Sequence, residues 1–105
     1  MKIKFNLSSD APHILFDGEL DEHTAEYVRM NVDVLLEEFV DKAIDKVVFD
    51  FSKLEFMDST GVGVLLGRFR KWDKKHLQIC IANPKPHVDR VLRISGIYQL
   101  MPLYV

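Results

Sequence analysis

A chain of 105 residues holds one domain, with a modest core and no room for a second. Apolar residues make up 48% and charged residues 29%, the balance of an ordinary globular protein, and a net charge of −2 gives no long-range attraction for nucleic acid or an anionic lipid surface. Basic residues do gather at Arg68, Arg70, Lys71, Lys74 and Lys75, but Asp73 interrupts them and their helical spacing predicts a solvated face, so no nucleic-acid partner is expected.

From the N-terminus, KIKFNL (2 to 7) alternates with apolar residues at Ile3, Phe5 and Leu7, the period of a half-buried strand. SSDAP reads as a turn. HILFDGEL then resumes with Ile14, Leu15 and Phe16 until Gly18 breaks the run, and the two stretches are near enough to form an antiparallel hairpin. Asp21 is the N-cap candidate for a first helix, with Glu22 where the helix dipole favours an acid. Ala25, Val28, Val32, Leu35, Leu36 and Phe39 mark the apolar face of that helix over about five turns. KVVFDF (46 to 51) is a short buried strand, and SKLEFMD is read as a connection.

A second helix opens near Gly61, with Val62, Leu65, Leu66, Phe69 and Trp72 on one face. HLQICIA (76 to 82) is another strand. Pro84 and Pro86 lie near the start of a third helix with Val88, Val91 and Leu92 inward and Gly96 as its terminator. IYQLMPLYV offers a last short strand that Pro102 confines to an edge. The order is ββαβαβαβ, an α/β domain over residues 1–105 with parallel pairing and right-handed crossovers after the opening hairpin.

The single cysteine, Cys80, lies in an apolar strand and has no intrachain partner, which fits a reducing compartment. No apolar run approaches the ~18 residues of a membrane span, and MKIKFNLSSD lacks the apolar segment of a signal peptide. A cytoplasmic protein without a membrane partner is expected.

The chemistry concentrates in FMDSTGVGVLLGRFRKW (56 to 72), where Asp58-Ser59-Thr60-Gly61 opens the second helix at the carboxyl end of a strand, a place where α/β folds keep their sites. Asp58 or Ser59 as a helix cap is the plainest reading. A nucleophilic Ser59 needs an oriented base, yet the turn is not a G-x-S-x-G elbow, and His13, His23, His76 and His87 nominate no partner for it or for a metal. Gly61, Gly63 and Gly67 match neither the dinucleotide fingerprint nor the P-loop. Such helix glycines cost roughly 1 kcal/mol each relative to alanine, so either the core or a partner must approach the backbone there.

GELDEHTAE (18 to 26), FSKLEFMDSTGVGVLLGRFRKW (51 to 72) and SGIYQLMPLY (95 to 104) together resemble bacterial anti-sigma factor antagonists, which are single STAS domains. The similarity runs through nearly the whole chain in matching order, and GELD with HTAE leans toward the sporulation branch that controls sigma factor F. It implies the STAS fold, a mixed and mostly parallel sheet packed with helices, and a further C-terminal helix that these 105 residues do not include. It also implies a non-enzymatic partner switch. The unphosphorylated protein binds an anti-sigma factor that is also a serine kinase, with ATP or ADP bound to the kinase, and so frees the sigma factor. Phosphorylation of Ser59 inactivates the switch, and a PP2C-like phosphatase reverses it. The partner-binding residues implied are Asp21, Asp58, Ser59, Thr60, Gly61 and Gly63, with Gly61 and Gly63 at an exposed helix start. No cofactor and no metal are expected of the chain itself. A phosphate on Ser59 would sit among free amides at the positive end of the helix dipole. The rival readings are a general-stress antagonist, a STAS scaffold module of another signalling complex, and a small serine-dependent enzyme.

Overall fold

The computed structural model describes residues 1–7 and 11–104. Two strands, β1 (Lys2–Leu7) and β2 (Pro12–Leu20), form the expected antiparallel hairpin, in a register that pairs Ile3 with Phe16 and Phe5 with Ile14. The turn expected at SSDAP falls largely on residues 8–10, outside the described residues, and Pro12 already belongs to β2. Helix α1 (Ala25–Asp41) follows, then β3 (Lys46–Asp50), β4 (Leu54–Met57), α2 (Ser59–Asp73), β5 (Gln78–Ala82) and α3 (Pro86–Ser95).

The sheet order is β1-β2-β3-β5, with β4 pairing β2 beside this path. All pairs except the hairpin are parallel, which makes the sheet mixed and mostly parallel. Parallel register aligns Ile14 with Phe49 and Phe49 with Ile81. These residues, with Phe16, Val47 and Ile79 on the same face, meet α1 through Val28, Val32 and Leu36 and α2 through Leu65 and Trp72. The alternate residues Val48, Cys80 and Ala82 form a smaller buried cluster with Ala11 and the half-buried Tyr104. Cys80 is thus a packed thiol whose pKa burial pushes up, in the apolar strand where it was expected.

Three expectations need correction. The connection SKLEFMD contains strand β4, because β2 does not end at Gly18. It continues through an irregularity between Gly18 and Glu19 to Leu20 and pairs with β4 there. Gly18 has φ +137°, a conformation that disfavours a side chain, and its amide donates to Lys53 O at 3.1 Å. Second, α1 starts at Ala25 with Thr24 as N-cap, not at Asp21. Third, the tail forms a 3₁₀ turn (Ile97–Gln99) and only an isolated parallel bridge from Leu103 to Ile81, so the last strand is reduced to one contact beside Pro102. The expected ends of α3 are present: Pro86 lies in its first turn, and Gly96 closes it in the left-handed conformation, φ +77°. No described helix is long and apolar enough to cross a membrane.

Candidate functional site

The register that pairs Leu20 with Met57 fixes the site. Each strand is followed at once by an aspartate, so Asp21 and Asp58 leave the sheet side by side at its carboxyl edge. They make the same local structure. Asp21 Oδ1 accepts the amides of His23 at 2.9 Å and Thr24 at 3.2 Å. Asp58 Oδ1 accepts the amides of Thr60 at 3.0 Å and Gly61 at 3.2 Å. The second is a helix N-cap, and Asp58 has the extended backbone that role requires. The first stabilises the turn that enters α1, where Thr24 Oγ1 donates to Glu19 O at 2.7 Å and accepts the Asp21 amide at 3.1 Å.

Ser59 is therefore the first residue of α2 and not its cap. Its side chain is exposed, Thr60 behind it is half-buried, and Gly63 one turn further along is exposed. The two glycines divide the roles that sequence left open. A Cβ on Gly61 would lie 2.8 Å from Leu20 O and 2.7 Å from Met57 Cγ, so this glycine lets the helix start press against the end of β2. Gly61 is buried, and its expected place on an exposed helix start is corrected. A Cβ on Gly63 would meet nothing within 4 Å, so no core contact explains it.

The amides are also distributed differently from expectation. Thr60 N–H and Gly61 N–H, two of the first-turn donors a phosphate on Ser59 would seek, are already held by Asp58.

One wall was not foreseen. Ser59 and Asp58 line a groove of about 310 Å³ with Val62 of α2 and with Val91, Ile94 and Ser95 of α3. Its signal in the sequence was Ile94, an apolar residue off the inward face of α3. No histidine is hydrogen-bonded to Ser59 among the described residues; His87, the histidine of α3, stacks on Phe56 at 5.5 Å instead. The site is an exposed hydroxyl beside a fixed carboxylate and an open glycine, suited to meeting an external group. An assembled serine nucleophile with its own base is not present among the described residues.

Comparison with known proteins agrees with this architecture. Residues 6–105 match the STAS domain, and the chain belongs to that family. An anti-sigma F factor antagonist from Paenibacillus polymyxa is 35% identical over 91 residues, covering 87% of this chain and 75% of the relative. The unphosphorylated form of the anti-sigma factor antagonist SpoIIAA superposes with a TM-score of 0.74 at 28% identity, covering 99% of this chain and 89% of that one. The phosphorylated form of the Bacillus SpoIIAA gives a TM-score of 0.67, also at 28% identity, over 99% and 92% of the two chains.

Proposed function

We propose that this chain is a cytoplasmic anti-sigma factor antagonist without catalytic activity of its own. Unphosphorylated, it binds an anti-sigma factor that is also a serine kinase and thereby frees a sigma factor. The observation that carries this reading is Ser59, exposed at the first position of α2 between the fixed carboxylate of Asp58 and the open surface of Gly63. The named antagonists among its relatives support it, as does the existence of SpoIIAA in a phosphorylated form.

In the switching step, Ser59 Oγ attacks the γ-phosphorus of ATP held by the kinase, the bond to ADP breaks, and the serine proton passes to a base of the kinase. Asp21, Asp58, Thr60 and Gly63 form the surface the kinase reads, while Gly61 acts from beneath by setting the height of the helix start. A PP2C-like phosphatase hydrolyses the phosphoserine and restores binding.

The test is to incubate the chain with a cognate anti-sigma kinase and ATP and to map the product by mass spectrometry. One phosphate on Ser59, absent from Ser59→Ala, is expected. Label on Thr60 or Ser52, or undiminished label in Ser59→Ala, overturns the assignment.

A further inference from the structure

Ser59 and Asp58 share the lining of the α2–α3 groove with Val62, Val91, Ile94 and Ser95. Val62 follows Ser59 by three positions, so the two lie on one face of α2. Ile94 is 81% exposed, the most exposed large apolar side chain among the described residues. The fold does not use it: Val88 and Leu92 carry the buried face of α3, and Ile94 stands off that face on the groove side. Val91 is half-buried beside it. Ser95 adds little polarity, because its hydroxyl donates to Leu92 O at 3.0 Å. One turn before Val91, His87 stacks on the 37% exposed ring of Phe56, which carries apolar surface onward to β4.

The lining narrows the occupant. No lysine or arginine belongs to it, and its one charged group is the Asp58 carboxylate, so it repels phosphate and other anions. Val62, Val91 and Ile94 instead present aliphatic surface that gains by losing its water to an apolar group. Ser59 is itself part of this lining. A protein that brings the γ-phosphate of ATP to Ser59 Oγ therefore stands over the groove.

We propose that the groove between α2 and α3 is a docking site for an apolar side chain of the anti-sigma kinase, with Ile94 as the contact on which affinity depends. The inference rests on the reading of Ser59 as the target of that kinase. It adds a second element, α3, to the surface formed by Asp21, Asp58, Thr60 and Gly63. The two halves do different work. The start of α2 offers a hydroxyl, a carboxylate and open backbone, which set where the phosphoryl group is delivered. The groove offers aliphatic area that is desolvated on contact, the kind of anchor that supplies affinity in protein interfaces. Val62 joins the halves, since it shares the Ser59 face of α2 and lines the groove with Ile94.

The experiment uses the full chain and a cognate anti-sigma kinase that phosphorylates Ser59 with ATP. The ADP-bound kinase is titrated with wild type and with three Ile94 variants. Ile94→Ala should weaken binding by about tenfold, through the loss of three buried carbons. Ile94→Asp should weaken it by about a hundredfold or more, because a second carboxylate would be buried beside Asp58. Ile94→Leu should stay within about threefold of wild type, since the apolar contact is kept. All three should melt within a few degrees of wild type, because the side chain faces water in the free chain. Unchanged affinity in Ile94→Ala and Ile94→Asp, with Ser59 still phosphorylated, overturns the docking site, leaves the groove to another occupant and lets the reading of Ser59 stand. A loss in Ile94→Leu as large as in Ile94→Asp also overturns it, because apolar burial would not then be what the kinase reads. A wild-type chain that neither binds the kinase nor accepts phosphate on Ser59 overturns both.

Discussion

Asp33 on α1 accepts the indole N–H of Trp72 on α2 at 2.8 Å. The same carboxylate lies 3.1 Å from Arg68 Nε and 3.1 Å from Lys71 Nζ. Trp72 is fully buried and the Arg68 side chain is only 11% exposed, so the half-buried Asp33 carboxylate supplies the indole with its acceptor and Arg68 with its counter-charge. The basic stretch at 68 to 75 is therefore not simply a solvated face. Arg68 and Lys71 turn toward α1, and with Lys75, 3.8 Å from Glu37, they fasten the helix that carries Ser59.

Replacing Asp33 by alanine leaves the Trp72 donor and the Arg68 charge without that acceptor. A loss of about 2–3 kcal/mol is expected, which lowers the melting temperature of a domain this size by about 10–20 °C. Asp33→Asn keeps an oxygen for Trp72 and should lose roughly half as much. Thermal and urea denaturation of both variants decide the matter, and equal losses would show that the indole bond contributes nothing.

The two glycines should separate cleanly. Gly61→Ala forces its Cβ against the backbone oxygen of Leu20, which cannot swing aside as a flexible side chain would, and should cost about 1–3 kcal/mol. Gly63→Ala has open space and should raise stability by up to ~1 kcal/mol through helix propensity. If the proposed function holds, Gly63→Leu should also fold but bind the anti-sigma kinase weakly, because its side chain would fill the open space left for the partner's backbone. Melting curves and a binding titration on the same three proteins test this; a stable Gly61→Ala, or a Gly63→Leu that binds normally, contradicts the division.

Much of this was legible because period and punctuation are strong signals. The faces of α1 and α3, the hairpin and the end of α3 at Gly96 follow from them directly. Strand β4 was hidden for a physical reason: LEFM is four residues long, and its partner is reached only past the irregularity at Gly18, which reads in sequence as a strand end. The tail failed differently, since Ile97 and Met101 are buried at a spacing of four and follow a tight 3₁₀ turn instead of a strand. At the site, Asp58, Ser59 and Thr60 could be placed from sequence, but which glycine served the core could not. That depends on the height of α2 above Leu20, a tertiary quantity. Asp21 was chosen as the cap of α1; it caps the preceding turn, and its partnership with Asp58 comes from the β2–β4 register.

Asp89 and Tyr98 give the fold a defined pH response. The Tyr98 hydroxyl donates to Asp89 Oδ1 at 2.6 Å, and Arg93 Nε donates to Oδ2 at 2.8 Å. The tyrosine hydrogen bond first, and the arginine second, hold the Asp89 carboxyl below its usual 3.8. Burial, then the same hydrogen bond, pushes the Tyr98 phenol above its usual 10.0. A depressed carboxyl contributes stability above its unfolded value that is lost as pH falls through the folded one; a raised phenol contributes stability below its unfolded value that is lost as pH rises through the folded one. Wild type should therefore exceed Tyr98→Phe in melting temperature most clearly between about pH 4 and pH 10, with the gap closing on both sides. A gap independent of pH would mean that packing, and not the hydrogen bond, accounts for the difference.

Phosphorylation of Ser59 should alter binding and leave the fold intact. The modification adds about −1.5 to −2 charges at neutral pH. At the first position of α2 the helix dipole favours that charge by about 0.3–1 kcal/mol. Against this, Asp58 already occupies the amides of Thr60 and Gly61, so the phosphate faces a neighbouring carboxylate without taking over its hydrogen bonds. The two effects offset each other, and the melting temperature should stay within a few degrees, with an unchanged circular dichroism spectrum. In the complex the phosphate would have to be desolvated against a partner whose bound nucleotide is itself negative, and an unpaired interfacial charge costs several kcal/mol. Since each 1.4 kcal/mol is about tenfold, affinity should fall by roughly a hundredfold or more. Asp58→Ala refines the argument: it should lower stability by about 1 kcal/mol in the unmodified protein, and phosphorylation should then restore part of the loss, because the phosphate can reach the vacated amides. Melting curves of the four species, with and without phosphate and with and without Asp58, measure this coupling directly. Equal melting shifts on phosphorylation in the two backgrounds would show that carboxylate and phosphate do not compete for the start of α2.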